Sequence, residues 1–407
     1  MQFDSISLNN GLRIVHLSEN SPVVYCGFAV NAGTRDETPG QYGLAHFVEH
    51  ILFKGTAKRK AWHILNRMEN VGGELNAYTT KEETFLYTVS LAEDMERAVE
   101  LLADLIFYSQ FPQQEIEKEI DVVIDEINSY KDNPSELIFD EFEDILFSGN
   151  ELGHAILGDE KTLKTFDTNA CRSFTDRFYN PENMVFFSCG KIPFSKIVRF
   201  ANKYFYSDKP FIAEKKTRTI PLPNPAKRCE EDKNLHQTHV MLGGRAYPMI
   251  HKNRIGLYLL NNILGGPGMN SRLNITLRER NGLVYTIESG LTSYTDSGLF
   301  AIYYGCDHKL EDKCLRLTLK ELKKLRENKL TTSQLTASVK QLKGQLGIAN
   351  NHGENRALTL GKNFLHQNKY DTLPEVYQKL DALTGSELLE IANEIFDESN
   401  LFSLIYR

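Results

Sequence analysis

At 407 residues the chain exceeds one typical domain and suits two or three. Its hydrophobic fraction of 41% and charged fraction of 25% are those of a soluble globular enzyme, which excludes fibrous, collagenous and disordered classes. A net charge of −7 argues against nucleic acid or an anionic membrane as the main partner.

The N-terminus, Met1-Gln2-Phe3-Asp4-Ser5-Ile6-Ser7, has no basic n-region, apolar h-region or Arg-rich amphipathic stretch. Neither a secretory signal nor an organellar presequence is visible. No apolar run reaches the roughly 18 residues that a bilayer span needs. The six cysteines, Cys26, Cys171, Cys189, Cys229, Cys306 and Cys314, are scattered without a C-x-x-C pair. They read as reduced thiols of a cytoplasmic protein.

Strand-like runs at Gly11 to His16 and Pro22 to Val30 open the first half as a meander. A helix follows that carries His46-Phe47-Val48-Glu49-His50. Two histidines four apart stand on one helical face. The order reverses the H-E-x-x-H motif and is the pattern called an inverted zincin. At about 100° per residue, Leu44, Phe47, Val48 and Ile51 form an apolar stripe, and His46, Glu49 and His50 fall opposite it. Two imidazoles can then hold Zn²⁺ while the carboxylate handles the proton of a water. The competing reading is a surface helix with unrelated polar residues.

A second helix runs to about Val71, Gly72-Gly73 breaks it, and Glu74 to Thr80 and Thr84 to Ser90 resume as strands. Long helices at Ala92 to Tyr108 and Pro112 to about Lys131 come next, and an apolar strand spans Met184 to Cys189. His63 and His154 read as structural or surface histidines, and the single tryptophan, Trp62, is uninformative. A catalytic zinc needs a third protein ligand. The stretch Glu115 to Glu126 offers six acids, and its buried stripe is Ile116, Ile120, Val123 and Ile127. Asp121 and Asp125 project away from that stripe. Glu119 and Glu126 lie together on one flank, about 80° from its centre, where a carboxylate is partly enclosed and needs a partner. Glu126 is the favoured ligand of the two.

Residues 207–228 hold four prolines and many charges and read as a linker between a domain at 1–206 and another at 229–407. Beyond it the element order recurs: a strand at Gln237 to Gly243, a helix at Arg254 to Leu264, a strand at Leu299 to Tyr304, and helices at Leu310 to Glu327 and from about Thr332. His50-Ile51-Leu52 aligns with Asn262-Ile263-Leu264. The fold class expected is α+β, two homologous α/β domains related by internal duplication, each a mostly antiparallel sheet packed with helices. In the second copy Tyr258, Asn261 and Asn262 stand where His46, Glu49 and His50 stand in the first, so only the first copy can hold metal. Gly265-Gly266-Pro267-Gly268 reads as a turn.

The chain resembles the pitrilysin-type zinc peptidases, in the branch with mitochondrial processing peptidase and its bacterial relatives. The likeness covers essentially the whole length through HFVEHILFKGT (46–56), GGELNAYT (72–79), EIEKEIDVVIDEI (115–127), LGHAILG (152–158), FYNPENMVFFSCG (178–190) and SRLNITLRERNGLVY (271–285). The resemblance implies one Zn²⁺ per chain, with His46, His50 and Glu126 as ligands and Glu49 as general base. It makes Glu119 a carboxylate that orients a ligand. It gives Arg278 and Tyr285 a role in holding substrate and stabilising an oxyanion. It matches Asn76, Ala77 and Tyr78 to an edge strand that receives an extended peptide. Active relatives hold four such domains, so this two-domain chain is expected to form a homodimer whose Arg278 and Tyr285 serve the partner's zinc site. A heterodimer's catalytic half and a noncatalytic assembly subunit are the alternatives. No nucleic acid, membrane or ATP is expected, and a bacterial cytoplasmic setting is.

Overall fold

The computed structural model describes residues 3–206 and 218–407. The first half of the expected linker, 207–217, lies outside the described residues, and 218–227 runs without helix or strand. Among the described residues no helix is long and apolar enough to cross a membrane.

The chain divides into two compact units. Unit 1 carries a six-stranded sheet of β1 (Phe3–Ser7), β2 (Arg13–Ser18), β3 (Val23–Val30), β4 (Glu74–Thr79), β5 (Thr84–Leu91) and β6 (Met184–Gly190), in the order β1-β2-β6-β3-β5-β4. Every pair is antiparallel except β2 with β6. All of β6 is buried, because both faces of the sheet are covered. On one face Phe28, Leu86 and Phe186 pack with Val48, Ile51 and Leu102 from the helices Leu44–Leu52 and Met95–Tyr108. On the other, Val15, Phe85 and Phe187 pack with Ala357, Leu360 and Phe364 from the helix Gly353–Gln367. Gly361 lets that helix approach, since a Cβ there would lie 2.7 Å from a ring carbon of Phe187.

Unit 2 carries a five-stranded sheet of β7 (Arg228–Glu231), β8 (Thr238–Arg245), β9 (Val284–Ser293), β10 (Gly298–Cys306) and β11 (Phe402–Tyr406), in the order β7-β11-β8-β10-β9. Only β7 with β11 is parallel. One face is covered by Phe142 and Leu146 of the helix Pro134–Leu146, which meet Met241, Phe402 and Leu404.

The mostly antiparallel sheets packed with helices are those the sequence predicts. The units, however, do not follow a boundary at 207–228. Unit 1 is Met1–Ser129, His154–Arg218 and Ala349–Tyr370; unit 2 is Tyr130–Gly153, Thr219–Ile348 and Asp371–Arg407. Each half of the chain lends the other a helix. Helical periodicity reports which face is apolar, not which sheet that face covers.

Candidate metal centre

The helix Leu44–Leu52 buries Leu44, Phe47, Val48 and Ile51 in the unit 1 core, which fixes its rotation. Its first turn has no side-chain cap of its own. The carboxylate of Glu37 supplies one from outside, accepting from the amides of Gly43 at 2.9 Å and Ala45 at 2.7 Å. His154 Nε2 lies 3.0 Å from the same carboxylate, and the His154 ring stacks on Tyr42 at 4.1 Å. Burial pushes the Glu37 carboxyl up, against the pull of His154 and the two amides. His154 therefore serves the start of this helix. His63 is exposed on the next one.

With that rotation set, His46 and His50 turn toward the helix Gln113–Lys131. His46 Nε2 lies 3.8 Å from Glu126 Oε1, and His50 Nε2 lies 3.5 Å from Glu126 Oε2. One donor atom from each of the three residues lies within 4.8 Å of the others, a convergence found once among the described residues. Asp121 and Asp125 face solvent, as the helix wheel predicts. Glu119 is buried and splits its oxygens: Oε1 is 3.0 Å from His50 Nδ1, and Oε2 is 2.5 Å from Lys54 Nζ. Glu49 stands outside this set, with Oε2 accepting a 2.6 Å hydrogen bond from Thr79 Oγ1.

The electrostatics follow from these contacts. Burial, and then the charge of His50, push His46 down to about 4. His50 is pushed up to about 9: burial opposes protonation, but the bonds to Glu119 and Glu126 outweigh it. Pairing with His50 holds Glu126 below the usual carboxylate range. Burial raises Glu49, against the Thr79 bond and the charge of His50. Two imidazole nitrogens and a carboxylate are the donor set of a catalytic zinc site, and they converge here with one imidazole, His50, oriented by a buried carboxylate. The residues present fit that ion.

Asn76, Ala77 and Tyr78 lie on β4, which ends the unit 1 sheet and among the described residues has one unpaired edge. Tyr78 stacks on Phe85 at 4.8 Å. In unit 2, Arg278 sits in a π-helical turn, Asn274–Glu279, and Tyr285 on β9. The Arg278 guanidinium lies 5.7 Å from the Tyr285 ring centre, and Tyr285 is 84% exposed. Tyr258, Asn261 and Asn262 line a cavity of about 440 Å³ beside β9, where no metal-ligating set occurs among the described residues. Sequence reasoning assigned no part to Thr79 or Lys54, although both stand inside quoted motifs. Strand periodicity offers a signal for Thr79: it shares a face with Leu75 and Ala77, which pack on the core that holds the motif helix.

The sequence profile described as insulinase (peptidase family M16) matches residues 13–160, and the profile described as peptidase M16 inactive domain matches residues 165–342. An uncharacterized zinc protease of Bacillus subtilis is 33% identical over 402 residues, covering 97% of this chain and 96% of that protein. One from Rickettsia felis is 34% identical over 411 residues, covering 99% and 97%. The fold is shared with the crystal structure of a peptidase M16 inactive domain from Pseudomonas fluorescens (TM-score 0.93, 20% identity, 100% of this chain and 98% of that one). It is shared too with a protease from Helicobacter pylori (TM-score 0.90, 21% identity, 100% and 99%). The chain belongs to peptidase family M16, the pitrilysin-type family that its motifs resemble.

Proposed function

We propose that the chain is a zinc-dependent endopeptidase that cleaves peptides or unfolded segments inside a chamber made by two copies. The observation that carries this reading is the convergence of His46, His50 and Glu126, with Glu49 beside them and outside the set. The names of the bacterial relatives support zinc and proteolysis. Zn²⁺ held by the three ligands supplies a Lewis acid for the carbonyl and brings the pKa of a water toward about 7.

The chain's own residues do the rest. Glu49 takes a proton from the attacking water and returns it to the leaving amine; burial, by raising its carboxyl, brings it nearer the working pH of such a base. Glu119 fixes the His50 ring through Nδ1, which turns Nε2 toward Glu126. The open edge of β4, at Asn76, Ala77 and Tyr78, takes an extended peptide by main-chain bonds, with little demand on its sequence. Arg278 and Tyr285 steady the substrate and the oxyanion of the partner copy's site in a C2 homodimer. Their support is exposure: the Arg278 side chain is 41% exposed, and its carboxylate neighbour Glu279 is 3.9 Å away. Six free cysteines suit a bacterial cytoplasm.

The test is zinc content together with chelator-sensitive cleavage of a quenched fluorescent peptide by the purified chain. Metal and turnover are expected, and Glu49→Gln keeps the metal and loses turnover. A chain that cleaves only beside a second polypeptide overturns the homodimer in favour of a heterodimer. A chain with neither metal nor turnover overturns the peptidase in favour of an assembly subunit.

A further inference from the structure

We propose that Thr79 is a positioning residue for the base, fixing which oxygen of Glu49 carries the proton; this rests on the peptidase reading above. Two hydroxyl protons, one on Thr84 and one on Thr79, decide the bonding. Thr84 Oγ1 is buried and donates its one proton to the Ala32 carbonyl oxygen at 2.9 Å. Toward Thr79, 3.4 Å away, Thr84 is left only as an acceptor. Thr79 also has one proton, and it faces a charged acceptor at 2.6 Å or a neutral one at 3.4 Å. The short, charge-assisted bond to Glu49 takes it.

Three restraints hold that bond in place. Thr79 pairs with Thr84 across β4 and β5, so its backbone is part of the sheet. Its branched side chain has few rotamers. The motif helix that carries Glu49 is locked by its buried stripe. Oε2 is thus tied, whereas Oε1 accepts no hydrogen bond among the described residues. Oε1 is the oxygen that moves the proton. The O–H bond of water breaks as its oxygen bonds to the peptide carbonyl carbon, and the proton passes to Oε1. When the C–N bond breaks, the proton leaves Oε1 for the amine nitrogen. Thr79 also ends the strand proposed to hold the substrate, so base and substrate share one rigid frame.

Thr79→Val keeps the branched shape and removes the donor. For the zinc-loaded full chain on a quenched fluorescent peptide, kcat is expected to fall about 10–100-fold with KM, zinc content and melting temperature unchanged. Thr79→Ser, which keeps the hydroxyl, restores most of the rate. An unchanged kcat overturns the proposal, and so does a raised KM at constant kcat, which would place Thr79 in substrate binding. If the valine variant loses its cooperative melt, Thr79→Ala takes its place in the same comparison. A wild-type chain that binds zinc and cleaves nothing sinks the peptidase reading alone. Crystals of wild type and Thr79→Val then decide the contact: a turned Glu49 carboxylate supports it, and an unmoved one overturns it.

Discussion

Glu49 and Glu126 are the same side chain in neighbouring places, and their surroundings give them opposite characters. Glu126 sits between two imidazoles and is held low, as a ligand requires. Glu49 is enclosed and raised, with a single neutral donor on it, as a base requires. Glu49→Gln should therefore keep zinc while kcat falls about 10²–10⁴-fold. Glu126→Ala should lower the zinc content itself, and metal analysis of the two variants side by side checks the division of roles. A third acid, Glu83, serves stability. Buried in the turn after β4, it accepts from His366 Nε2 at 3.2 Å and pairs with Lys362. Burial works against its charge, but these two cations prevail and hold the carboxyl at about 2, below its ordinary 4.5. A lowered folded-state value means stability present above the ordinary range and lost as pH falls from about 4.5 toward 2. Melting temperatures taken across that window should drop for the wild type, and Glu83→Gln should flatten the drop.

At the scale of elements, what could be read in advance was face polarity. The helix wheel separated His46, Glu49 and His50 from the stripe that is buried in the structure. On the helix Gln113–Lys131 it set Glu119 and Glu126 apart from Asp121 and Asp125, which are exposed. Partnership across the sheet was not readable. Thr79 meets Glu49 because β4 borders β5 under the motif helix, and strand order is invisible in a single sequence. Strand β9 escaped because, at a sheet edge, few of its residues are buried and no alternation marks it. The strand β7 is short and polar. The helix Gly353–Gln367 lies within the helical run expected from Thr332 onward, yet nothing in its pattern names Phe85 and Phe187 as its partners. At Gly361 a Cβ would meet both the Phe187 and the Phe85 rings. Gly361→Val must push against both rings, and urea unfolding should show a loss of about 1–3 kcal/mol.

For the whole molecule, exchanged helices make the two halves inseparable. Residues 1–206 produced alone lack Ala357, Leu360 and Phe364, which cover Val15, Phe85 and Phe187. That fragment should show no cooperative melt and should bind zinc poorly, whereas the full chain should melt cooperatively and bind zinc. A fragment that melts cooperatively would mean that the covering helix is dispensable. Assembly has its own test. Mixing Glu49→Gln chains with Arg278→Ala chains should restore activity to neither-active parents, because a mixed pair holds one site with both Glu49 and a partner's arginine. No rescue at any ratio argues against sharing across copies.

The loan of Gly353–Gln367 also sets a clock. During synthesis, β6 is complete once Gly190 has been made, but the cover for one face of its sheet ends only at Gln367 of 407 residues. At about 5–20 residues per second, that interval lasts roughly 9–35 s. Throughout it the sheet beneath the motif helix has a bare apolar face. Unit 1 of a nascent chain thus lacks its finished fold until Gln367 has been made, long after His46, His50 and Glu126.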